Sequence, residues 1–84
     1  HQGREVDFVL KEGTKVRQLL QVAYELDGDV RRRELDALLR ASVDLKCKDL
    51  VVITGDHEGV EKAHTNGLAR DVRFIPLWKW LQGA

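Results

Sequence analysis

The first third of the chain alternates. From Arg4 to Lys11, Val6, Phe8 and Leu10 fall on one side of an extended segment, and Glu5, Asp7, Val9 and Lys11 fall on the other. Glu12-Gly13-Thr14 supplies a turn, with Gly13 free to take positive φ. Lys15 to Leu26 then reads as a second, longer strand. Val16, Leu20, Val22, Tyr24 and Leu26 share one of its faces, and Arg17, Leu19, Gln21, Ala23 and Glu25 share the other. The pattern predicts a hairpin in which Lys11 pairs with Lys15, Glu5 opposes Gln21 and Asp7 opposes Leu19. Asp7 and Gln21 then become diagonal neighbours on one face, in a register that a one-residue slip would destroy. The second strand outruns the first, so its far half needs another partner.

After the hairpin the period changes. Asp27-Gly28-Asp29 ends the strand, and Asp29 is the expected N-cap of a helix from Val30 to about Lys46. Leu35, Leu38, Leu39, Ser42 and Leu45 recur at helical spacing, with Ala37 and Ala41 beside them. Tyr24 is expected in the core, and this leucine stripe is expected to pack on the Val22/Tyr24 face. Leu50-Val51-Val52-Ile53-Thr54 has no alternation, as expected of a central strand covered on both faces. A helix between two strands predicts a crossover, with this strand parallel to the second. Gly55 to Asp71 reads as a polar loop holding a short helix around Glu58–His64. Val72 to Ile75 reads as a further short strand, and Pro76 suits the first turn of a terminal helix, Leu77 to Gln82. The expected class is α/β: a mixed sheet of about four strands with a crossover helix and a short terminal helix.

Composition narrows the picture. The 84 residues suffice for one domain, 1–84, with a small core. Charged residues make up 33% and the formal net charge is zero, without the basic excess of a dedicated nucleic-acid binder. The single cysteine, Cys47, has no disulfide or zinc partner in the chain, which suits a reducing, cytoplasmic setting. No run reaches the length of a membrane span. The chain contains no Met and begins His-Gln, which leads to the expectation of a fragment of a larger protein.

Four groups of residues carry candidate chemistry. Asp7 and Gln21, on one hairpin face, could offer oxygen ligands to a hard divalent cation able to activate water, or could simply form a polar sheet face. Asp56, His57, Glu58, Glu61 and His64 lack the convergent spacing of a zinc site and read as a solvated loop. Arg31, Arg32 and Arg33 read as a solvated first helical turn or as a phosphate-binding cluster. Trp78 and Trp80, in Pro-Leu-Trp-Lys-Trp-Leu, either close the core or anchor an interface, with at least one left for a partner surface. No GxxxxGK[ST], GxGxxG or GxSxG motif occurs.

The segments GREVDFVL, LLQVAYEL, the Arg-Arg-Glu-Leu helix start, LVVITGDHEG and the terminal FIPLWKWL together resemble the C-terminal domain of archaeal AAA-type ATPases, from Gly3 to Leu81. That resemblance implies an ATPase motor ahead of this domain. It also implies a fold similar to the PD-(D/E)XK nucleases, a trimmed restriction-endonuclease-like core. In that pattern Asp7 matches the Asp of one strand, Gln21 falls at the second acid and Val22 at the hydrophobic position. Ala23 falls where the pattern has Lys and does not match. The superfamily's leading helix has no counterpart here. The resemblance therefore implies a non-catalytic accessory module that binds a partner or nucleic acid. One alternative is an active nuclease using Mg²⁺ or Mn²⁺ at Asp7 and Gln21, with a cation borrowed from Arg33 or Lys46. Another is a purely structural domain docking through its Trp78/Trp80 helix. The implied partners are the ATPase part of a parent chain, nucleic acid or a second copy, and no membrane.

Overall fold

The computed structural model describes residues 7–24, 28–65 and 67–83. The elements run β1 (Phe8–Glu12), β2 (Lys15–Val22), α1 (Gly28–Asp44), β3 (Leu50–Thr54), β4 (Gly59–Thr65), β5 (Leu68–Pro76) and α2 (Leu77–Leu81). The strands form one five-stranded sheet in the order β1-β2-β3-β5-β4. β2, β3 and β5 are parallel to one another, and an antiparallel hairpin arm closes each edge: β1 on β2 and β4 on β5. The α/β class and the mixed sheet follow the sequence pattern, as does the parallel pairing of β2 with β3 across α1.

The extra strand is β4, which occupies the stretch expected to hold a helix around Glu58–His64. It runs antiparallel to β5, from Gly59↔Phe74 to Thr65↔Leu68. Only Ala63 of its seven residues is buried. An edge strand exposed along most of its length needs few apolar residues, so its sequence looks like that of a loop. β5 is correspondingly longer than the expected Val72–Ile75. The Thr65↔Leu68 pair closes a two-residue connection, in which Gly67 takes φ 81°.

The first hairpin forms in a different register from the one expected. Glu12 pairs with Lys15 and Lys11 with Val16, and beyond a bulge Leu10 pairs with Gln18, Val9 with Leu19 and Phe8 with Leu20. Arg17 is thus the extra residue of β2. Two consequences follow. Asp7 comes to face Gln21 directly rather than diagonally. Val16, which strict alternation groups with Leu20, packs instead with Leu19. The expected strand extensions to Arg4 and to Leu26, along with Glu5 and Glu25, lie outside the described residues. So does the side chain of Asp29, although the helix itself begins at Gly28.

Each sheet face carries its own core. On one, α1 packs Leu38, Leu39 and Ala41 against Leu19, Ala23, Leu50, Val52, Val72 and Phe74. On the other, α2 brings Leu77 and Trp80 onto Leu20, Val51, Ile53 and Ile75. β3 serves both faces and is buried throughout. The helix therefore covers the Leu19/Gln21/Ala23 face and not the Val22/Tyr24 face. Leu19 and Ala23 supply the apolar surface there, whereas Tyr24 lies just past the end of β2 and is 55% exposed rather than core.

α1 ends at Asp44 with a left-handed residue, Lys46 at φ 55°. Leu45 N–H donates to Ala41 O at 2.8 Å and Cys47 N–H to Ser42 O at 3.0 Å, which satisfies the last helical carbonyls. Leu45 lies past the helix and is exposed, while Cys47 turns inward and is buried. Pro76, with φ −64° and ψ 147°, stands at the N-cap of α2 rather than inside its first turn.

Candidate functional site

The hairpin does bring Asp7 and Gln21 together, and a residue from the helix joins them. Asp7 N–H donates to Gln21 Oε1 at 2.9 Å, and Val22 N–H donates to Asp7 Oδ2 at 2.8 Å. Gln21 Nε2 donates to the carboxylate of Glu34 on α1. Gln21 is 3% exposed and lies beneath α1 at the C-terminal end of β2. Its amide is used at both ends: the carbonyl takes the backbone of the first strand, and the NH₂ reaches the helix. The three side chains form a latch that ties the start of β1, the end of β2 and the second turn of α1. Glu34 is the member that sequence reasoning missed. It lies well past the end of the strand, in the charge run Arg31 to Asp36 that reads as solvent-facing.

This arrangement engages part of the oxygen set a divalent cation would use, without exhausting it. A hard cation needs free oxygen lone pairs and usually retains waters. Here Gln21 Oε1 already accepts a backbone N–H, and Asp7 Oδ2 accepts another. No group of three or more His, Cys, Asp or Glu side chains converges as a metal site among the described residues. Ala23, at the position where the nuclease pattern has Lys, is buried in the apolar cluster with Leu38 and Phe74, and its N–H donates to Ile53 O at 2.9 Å. Neither of the two candidate substitute cations is seen bonded to Asp7 or Gln21 among the described residues. Arg33 is exposed on α1. Lys46 follows the opposite end of the helix, whose last residue, Asp44, lies about 15 Å along the axis from Glu34 at ~1.5 Å per residue, and it sits next to the β1–β2 turn.

A second constellation forms where β4 replaces the expected loop. His57 Nε2 lies 2.8 Å from Glu61 Oε2, and Arg31 of α1 pairs with the other oxygen of the same carboxylate. The His57 ring packs edge-on against Phe74 at 5.1 Å, and the Arg31 guanidinium sits 5.2 Å from the centre of the same ring. Thr54 Oγ1 donates to His57 O at 2.6 Å. Arg31 is therefore neither a free solvated cation nor an open phosphate ligand: it clasps α1 to β4. Arg32 and Arg33 are exposed, as a solvated turn would be. Glu58 pairs with Lys79 of α2, and His64 is exposed on β4, so the acidic and histidine side chains of this stretch are divided among separate contacts.

The two tryptophans differ. Trp80 packs against the α2-face core, whereas Trp78 is 56% exposed, and Leu81 on the same short helix is also exposed.

Comparisons with known proteins give the chain a relative without a described role. It is 37% identical over 78 residues to the uncharacterized protein MJ1544 of Methanocaldococcus jannaschii, a match that spans 90% of this chain and 17% of the relative. No family model matches the chain. No solved structure matches it either.

Proposed function

We propose that this chain is a non-catalytic accessory domain, the C-terminal module of a cytoplasmic archaeal ATPase, and that its nuclease-like centre has become a structural latch. The observation that carries this reading is the state of Gln21. Its carbonyl is bonded to Asp7 N–H, its NH₂ is bonded to Glu34, and the neighbouring Ala23 is buried in an apolar core. A residue held in this way orders three elements and leaves little for substrate. The domain then acts by binding, and its partner is the ATPase part of the same polypeptide. Trp78 and Leu81, left exposed on α2, supply the apolar anchors such docking needs. The much greater length of the relative is consistent with a parent chain of that kind.

The test is a cleavage assay on single-stranded and duplex DNA with Mg²⁺ or Mn²⁺, paired with a metal titration followed by NMR. The chain is expected to leave DNA intact and to show no shifts localised at Asp7 and Gln21. Metal-dependent cleavage by the chain or its parent, abolished by Asp7→Ala, would overturn the reading.

A further inference from the structure

We propose that β1 is a self-association edge, pairing antiparallel with β1 of a second copy across a two-fold axis at Val9. Every residue of β1 is exposed, and three consecutive positions, Phe8, Val9 and Leu10, are large and apolar. Edge strands usually carry charges or Pro that discourage pairing, and this one does not until Lys11. Its outer edge, which no other strand among the described residues pairs with, also has the right polarity. Leu19 N–H donates to Asp49 O at 3.0 Å and Ala23 N–H to Ile53 O at 2.9 Å, so the odd residues of β2 turn their backbone groups toward β3. Leu20 therefore turns toward β1, and so does its partner Phe8 toward β2, which leaves the N–H and C=O of Val9 facing outward.

The sequence around Val9 is self-complementary. Antiparallel pairing centred there sets Val9 against Val9, Phe8 against Leu10, and Asp7 against Lys11 of the second copy. An isologous contact needs this kind of pairing, apolar with apolar and acid with base. Side chains on facing positions point to the same side of a sheet. Phe8 and Leu10 of both copies would thus form one patch continuous with the α2-face core, and two five-stranded sheets would join into one. On the opposite edge, antiparallel pairing of β4 about its middle residue would set Lys62 against Lys62.

The test is sedimentation of the chain from micromolar to millimolar concentration, compared with Val9→Pro and with two cysteine variants. Proline removes the outward N–H at an edge position where the fold tolerates it. The wild-type chain is expected to shift from monomer to dimer, and Val9→Pro to weaken dimerisation by roughly tenfold or more with an unchanged circular dichroism spectrum. Val9→Cys is expected to form a symmetric disulfide on mild oxidation, and Val60→Cys, on the other edge, to remain unlinked. A wild-type chain that stays monomeric throughout, or a Val9→Pro chain that dimerises as well as wild type, would overturn the proposal. If Val9→Pro unfolds the domain, the cysteine pair decides alone: crosslinking through position 60 and not 9 would rule out the β1 edge.

Discussion

The two faces of the sheet are covered in different ways. One lies under α1, a helix of 17 residues whose apolar stripe meets a continuous apolar surface. The other lies under α2, only five residues long, which covers its middle with Leu77 and Trp80 and leaves Trp78 and Leu81 exposed. The α1 face also holds polar groups, and these are tied down: Gln21 is locked between Asp7 and Glu34, and Arg31 between Glu61 and Phe74. The Asp7/Gln21 latch thus lies on the closed face, and the exposed apolar side chains of α2 lie on the open one. A domain built this way stabilises itself on one side and can offer the other to partners.

Substitutions can break this contrast. The largest effect is expected from Leu38→Ala on the closed face, where a fully buried leucine leaves a cavity and costs about 2–5 kcal/mol in denaturant unfolding. Trp80→Ala is expected to cost about 2 kcal/mol, below the ~3–5 kcal/mol of a fully buried tryptophan, because α2 only half-buries it. Gln21→Ala should cost about 1–2 kcal/mol by leaving the Asp7 N–H without its acceptor. Hydrogen exchange should show the loss at the start of β1 and the N-terminal turns of α1. The smallest effect is expected for Trp78→Ala, within about 0.5 kcal/mol of wild type in the isolated chain, while docking to the ATPase part proposed above is expected to weaken. If Trp78→Ala proves as costly as Leu38→Ala, the open face is in fact closed and the comparison fails.

The parts legible in the sequence were those with a strong period or a continuous apolar run. β3, α1 and the terminal helix follow directly from Leu50–Thr54, the leucine stripe and Pro76. β4 was hidden because an exposed edge strand needs only one buried residue, Ala63, and that cannot produce a hydrophobic alternation. A signal for it was present in Asn66-Gly67, a dipeptide that favours two-residue hairpin connections. The face under α1 was misjudged because both sides of β2 carry apolar residues. Only the packing of Leu19 and Ala23 beneath Leu38 and Leu39 decides between them. The meeting of Asp7 with Gln21 was foreseen, but in the wrong register, because the extra residue at Arg17 cannot be read from a binary pattern. Glu34 was not foreseen. Its role depends on where α1 lies over β2, which is a property of the packed molecule.

Cys47 gives the closed face a built-in clock. It is the chain's one thiol, it is buried where the chain leaves α1, and its Sγ lies 3.8 Å from Asp49 O. A thiol reagent can reach it only when that end of the helix lifts from the sheet. With dilute reagent the labelling rate equals the opening equilibrium times the rate of a free thiol, and with concentrated reagent it becomes the opening rate itself. Labelling in the presence and absence of a partner would thus reveal whether binding on the open face slows the breathing of the closed one.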